Sequence, residues 1–152
     1  MNVGGQNAGE FYGLARVGNY SFANFYVAFR DNTEWCSVVI SPISTQWGGK
    51  KRFVFQNHAV AICEDNNNSF ITEEEAHYLC AILNAPIVKN FITRSSDSRS
   101  FKIRPPIKIP KFNDQNEIHT KLSALSRKAH SDKEHIAVIL EEIDNLYTSL
   151  FK

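Results

Sequence analysis

The chain has 152 residues, 43% of them hydrophobic, and a formal net charge of +1. A chain of this size buries about two thirds of its unfolded surface, which suits one folded globular domain. Near-neutrality excludes a nonspecific polycationic coat for nucleic acid. The sequence also lacks a run of about 18 uninterrupted apolar residues, as a membrane-spanning helix needs.

The start has no charged segment followed by an apolar one, so no secretory signal is expected. Cys36, Cys63 and Cys80 are odd in number, widely spaced and set among apolar residues. They read as reduced core thiols of a cytoplasmic protein.

In chain order, residues 1–10 are rich in Gly and Asn and are expected to form a flexible lead. Phe11–Val17 reads as a first short strand. Tyr20–Arg30 is dense in aromatic residues, Asp31-Asn32 signals a turn, and Trp35–Ile40 is rich in β-formers; together they predict a hairpin with its rings in a core. Pro42–Arg52 is a loop of mixed chemistry, with Gln46 and Trp47 ahead of Gly48-Gly49 and then Lys50, Lys51 and Arg52. The glycines let backbone approach a ligand closely. Gln and Arg side chains suit purine edges and Lys suits phosphate, although the same residues also suit a solvated hairpin tip. Phe53, Phe55 and Ala59–Cys63 return to strand character, and residues 65–68 are a polar turn.

Thr72 with Glu75 forms a capping box, and Glu73, Glu74 and Glu75 lie where a helix dipole favours carboxylates. Ala76, Leu79, Cys80 and Leu83 make one apolar stripe, interrupted at Pro86. Ile87, Val88, Phe91 and Ile92 predict a second short helix. Residues 93–100, TRSSDSRS, form a polar loop holding Arg94, Ser95, Ser96 and Arg99. Phe101, Ile103, Ile107 and Ile109 then alternate with Lys102, Arg104 and Lys108, as in a half-buried edge strand with its cations outward. Beyond Pro110 the chain turns helical. Asp114 with Glu117 and Ser131 with Glu134 read as two further capping boxes, and the stripes Ile118, Leu122, Leu125 and Ile136, Ile139, Leu140, Ile143, Leu146, Tyr147, Leu150 predict an α-hairpin. Charge is uneven along the chain: residues 81–112 carry seven Lys or Arg against Asp97 alone, enough to present a positive face.

Several pieces in a fixed order resemble the C-terminal target-recognition (specificity) domain of bacterial restriction–modification adenine-N6 DNA methyltransferases, including fused type II restriction enzymes. Tyr78, Leu79, Ala81, Leu83 and Asn84 match a YLxAxLNS-like helix, with Ala85 where the family has serine. A serine-rich loop follows, then Ile109, Pro110 and Phe112 of an IPxF element, and a long helix opening N…H..L. The upstream segment from Tyr20 to Pro42 is similar to the family's aromatic strand pair, with Tyr26 where a basic residue is usual. The resemblance covers roughly residues 12 to 150. It implies a domain that lies C-terminal to a catalytic methyltransferase domain, binds double-stranded DNA and presses it into the catalytic cleft. S-adenosylmethionine is then expected in that partner domain and no cofactor in this chain.

Catalytic residues are not expected in the chain. Asn84-Ala85-Pro86-Ile87 lacks the second proline and the aromatic of a methyltransferase motif and reads as a helix stop; Arg104-Pro105-Pro106-Ile107 fails at both ends. No Glu-x-Lys or Asp-x-Lys triplet suits a metal-dependent nuclease. His130 and His135 have the wrong spacing for zinc, so no metal site is expected. Cys80 near His77 lies on an apolar stripe and reads as core.

The expected fold is α+β, a small mixed or antiparallel sheet with a helix pair and a C-terminal α-hairpin. Residues 11–112 would form the recognition core and 113–152 a helical hairpin of the same domain. The expected DNA contacts are Gln46, Arg94 and Arg99 for base edges and Lys50, Lys51, Arg52, Lys102 and Arg104 for phosphates, with Trp47, Ser95 and Ser96 beside them. Two other readings stay open: a recognition domain of a multi-subunit restriction specificity subunit, and a protein–protein adaptor that uses the Phe-rich hairpin or the C-terminal stripe.

Overall fold

The computed structural model describes residues 18–32, 34–55, 58–96 and 107–152. The expected lead, the strand over residues 11–17 and the basic segment 97–106, with Arg99, Lys102 and Arg104, lie outside the described residues. The fold is α+β, with both described sheets antiparallel.

The predicted hairpin forms. β1 (Tyr26–Arg30) pairs antiparallel with β2 (Ser37–Ile40), Val27 opposite Val39 and Phe29 opposite Ser37. β5 (Ala59–Ile62) pairs on the other side of β1, giving the order β2-β1-β5. The two strands between them, β3 (Ile43–Ser44) and β4 (Lys50–Lys51), form a separate two-stranded ribbon, so the mixed-chemistry loop contains a hairpin of its own.

Helix α1 (Glu73–Asn84) is the centre of the molecule. Its start is the expected box: the Glu75 N–H donates to Thr72 Oγ1 at 3.2 Å and the Thr72 N–H donates to Glu75 Oε2 at 2.8 Å. Pro86 sits at the first position of α2 (Pro86–Ser95), where its missing N–H costs nothing. The single-stripe expectation for α1 is too narrow. His77, Tyr78, Ala81 and Ile82 are buried along with Ala76, Cys80 and Leu83, because α3 (Glu117–Ser131), the sheet and the segment around Pro110 cover different faces.

The polar atoms that this burial carries inward are satisfied. Tyr78 Oη donates to the Pro110 carbonyl at 3.0 Å, and its ring lies 5.4 Å from Phe112 and 4.7 Å from His119. Burial drives the Tyr78 pKa up to about 12. His77 Nδ1 meets Ser126 Oγ at 3.1 Å, and its pKa falls to about 4, chiefly through burial and then through His130 beside it.

The free edge of β2 is closed by side chains from two helices. Asn84 spans Ser37 with both ends of its amide: Nδ2 donates to the Ser37 carbonyl at 2.8 Å and Oδ1 accepts the Ser37 N–H at 2.9 Å. Two residues on, the Val39 N–H donates to His130 Nε2 at 3.0 Å. An edge strand otherwise offers these groups to any passing chain, so their pairing is a structural role for Asn84 and His130.

Two caps differ from expectation. An Asn113-centred turn, with the Gln115 N–H on Asn113 Oδ1, delays α3, and Asn116 rather than Asp114 caps it by accepting the Ile118 and His119 N–H groups. Ser131 does not open α4 (Ile136–Ser149). It is the last residue of α3, with its hydroxyl turned back to the Lys128 carbonyl, and Asp132 takes the His135 N–H in the joint. The α-hairpin itself stands: α3 packs along α1, and α4 brings Ile139 and Ile143 into the same core. Residues 107–110 carry no strand, although Ile107 and Ile109 pack half-buried against that core. Among the described residues no helix is long and apolar enough to cross a membrane.

Candidate functional site

The β3–β4 ribbon gathers five of the expected contact residues. Ile43 pairs with Lys51 and Ser44 with Lys50, and the connection closes as a β-turn in which the Gly48 N–H donates to the Thr45 carbonyl at 3.1 Å. A second bond, from the Thr45 N–H to the Gly49 carbonyl at 3.3 Å, ties the base of the turn. Gln46 and Trp47 therefore occupy the two apical positions. Gly48 and Gly49 follow with φ of 85° and 72°, a left-handed conformation that side-chain-bearing residues adopt only with strain. The sequence Thr-Gln-Trp-Gly-Gly gives this turn for a local reason: the two glycines take up the reversal and push the bulky residues to the tip.

Trp47 is 82% exposed. Lys50 and Lys51 are exposed on successive ribbon positions, so they leave on opposite faces. Arg52 is also exposed, and one of its guanidinium nitrogens donates to Asn24 Oδ1 at 2.9 Å, fastening the ribbon's base to the segment before β1. No Asp or Glu occurs between Glu34 and Glu64, so the ribbon's cations have no acidic neighbour in sequence. Exposed Phe53 and Val54 continue the surface beyond β4.

Arg94, Ser95 and Ser96 are placed elsewhere, at the end of α2. Arg94 is exposed in the last turn, and the Ser95 hydroxyl donates to the Ile92 carbonyl at 3.4 Å. Arg94 shares a shallow surface with Ile87, Asn90, Phe91 and Ser95, in which Ile87 and Phe91 are 50% and 45% exposed. That mixture of apolar side chains around one cation was not expected for a loop reading base edges; Ile87 and Phe91, four apart on the face of α2 adjoining the buried Val88 and Ile92, are left exposed rather than buried with them. Between described residues no hydrogen bond or ion pair joins this surface to the ribbon, so the expected contact residues fall into two groups rather than one. Arg99, Lys102 and Arg104 lie outside the described residues.

The residues weighed for catalysis have other partners. Cys80 Sγ lies 3.5 Å from the Ser37 carbonyl and His77 on Ser126, so they do not form a nucleophile pair. Burial raises the Cys80 and Cys63 thiols above their ordinary range, which keeps both protonated at neutral pH. Cys36, expected in the core, is exposed just ahead of β2. Among the described residues no three His, Cys, Asp or Glu side chains converge to hold a metal ion.

The motif residues that carry the family resemblance meet in space, Tyr78 on Pro110, Phe112 and His119, and Asn84 on Ser37, and every one of these contacts is internal to the fold. No family model, curated protein or solved structure matches the chain.

Proposed function

We propose that the chain is a DNA target-recognition domain, working in the cytoplasm beside a catalytic domain that binds S-adenosylmethionine and methylates adenine at N6. The observation that carries the reading is the β3–β4 ribbon, a hairpin with Gln46 and Trp47 at its apex and Lys50, Lys51 and Arg52 along its base. A two-stranded ribbon fits the major groove, Gln can pair bidentately with adenine, and Lys neutralises phosphate. The chemistry on the base belongs to the partner domain, which must take the adenine out of the stack. Arg94, and in sequence Arg99, Lys102 and Arg104, would extend the positive face along the same duplex.

A second reading has its own support. The exposed Ile87 and Phe91 beside Arg94 make α2 a candidate protein-docking face, as in an adaptor. Fluorescence anisotropy on a labelled mixed-sequence duplex separates the two. DNA recognition predicts binding that weakens as salt rises, with a log–log slope near −0.9 for each phosphate neutralised. Lys50→Glu/Lys51→Glu would lose most of that binding. Absence of binding at low salt, by the chain alone and by a form fused to a methyltransferase domain, would sink the DNA reading and favour the adaptor.

A further inference from the structure

We infer that Trp47 is a stacking wedge, and that the preferred ligand of the ribbon is a duplex with an unpaired or extruded base rather than intact B-form DNA. The inference rests on the nucleic-acid reading above and names the feature of the ligand that the apex recognises. Trp47 has the largest side chain in the code, and at 82% exposure it contributes almost no burial to its own fold. It is held outward by structure and not by chance: the turn is closed by two backbone hydrogen bonds, and the Thr45 hydroxyl adds a third contact to the Gly48 carbonyl at 3.4 Å. On the trailing side Gly48 and Gly49 offer no side chain, and a Cβ at either would meet nothing within 4 Å. A narrow blade results, one ring wide at its tip and bare behind.

Such a blade matches one nucleic-acid feature. Bases in intact duplex are stacked on both faces, so an indole finds a π-face only where a base has been displaced or lacks a partner. Gln46, next to Trp47 at the apex, brings an amide that both donates and accepts, which suits a Watson–Crick edge left without its complement. Lys50 and Lys51, a few residues behind on opposite faces of the ribbon, are positioned to reach the two flanking backbones. A bilayer is a poorer match, because a single ring between an amide and two glycines offers little apolar area to insert.

The test uses the whole chain and two fluorescein-labelled 20-mer duplexes, roughly two turns of DNA long, identical except that one carries a single bulged adenine. Wild type is expected to prefer the bulged duplex by roughly five- to a hundredfold, the range that stacking on one aromatic side chain supplies. Trp47→Ala should abolish the preference, with each variant's affinity for the paired duplex as its own reference. Trp47→Phe should keep part of it. Acrylamide quenching reports the ring directly: the difference between wild type and Trp47→Phe isolates Trp47 emission, which should become protected on the bulged duplex. Equal affinity for both duplexes, or a preference that survives Trp47→Ala, overturns the inference and leaves the DNA reading standing. Binding to neither duplex removes both, and protection of Trp47 by anionic phosphatidylserine vesicles but not by DNA replaces the wedge with a membrane anchor.

Discussion

Trp35 and Trp47, the only tryptophans in the chain, sit in opposite surroundings. Trp35 is 1% exposed, its ring 4.7 Å from Phe29 and its Nε1 donating at 2.7 Å to the Leu83 carbonyl at the end of α1. Trp47 stands at the apex of a ribbon with no core around it. The difference teaches where to look for function. On α1 the polar side chains of His77, Tyr78 and Asn84 each have an internal partner. On the β3–β4 ribbon the large and charged side chains are exposed, and Arg52 is tied back to Asn24.

Mutation should separate these regions by the size of its effect on stability. Trp35→Ala removes a fully buried ring and leaves the Leu83 carbonyl without its donor, and about 3–5 kcal/mol should be lost in urea denaturation. A loss below about 1 kcal/mol would break the contrast at its strongest point.

Acid should act on the scaffold next. His77 has a lowered pKa in the folded chain, about 4 against an ordinary 6.5, so the unfolded chain binds the proton more tightly. The stability that neutral His77 permits is therefore complete above about pH 6.5 and is lost as pH falls towards 4, by about 3 kcal/mol at most. A series of denaturation curves across that window should show the loss, and His77→Gln should flatten it.

Asn84→Ala should cost about 2 kcal/mol, because it strips both hydrogen bonds from the Ser37 edge. Light-scattering of the same variant should show more self-association through the uncovered strand. At the small end, Trp47→Ala should change stability by less than about 0.5 kcal/mol, as expected of a side chain that is mostly exposed. A larger loss would mean that the ribbon is part of the scaffold after all.

What the sequence made legible was local. The Thr72–Glu75 box, the break at Pro86 and the turn at Asp31-Asn32 act over a few residues and appear where expected. What it hid depends on contacts far along the chain. Nothing near His77 announces that Ser126 will receive it, and nothing near Tyr78 announces the Pro110 carbonyl, so two polar residues off the apolar stripe turn out to be core. The caps of α3 and α4 were misread because Asp114 and Ser131 fit the pattern as well as the true neighbours do, and only the Asn113 turn and the longer run of α3 decide between them. The candidate site was half legible. The residue types of the ribbon stood out, but the apical placement of Gln46 and Trp47 needed the turn geometry, and the separation of Arg94 from them needed the end point of α2.

The most direct test of the account is an amide NMR titration of the full chain, isotopically labelled with 15N, with duplex DNA. Recognition through the ribbon predicts shifts concentrated at Thr45–Arg52 and the Trp47 indole, smaller ones near Arg94–Ser96, and silence from Trp35 and the amides of α1. Shifts confined to Ile87–Phe91, or spread through the α1 core with the ribbon unchanged, would contradict it.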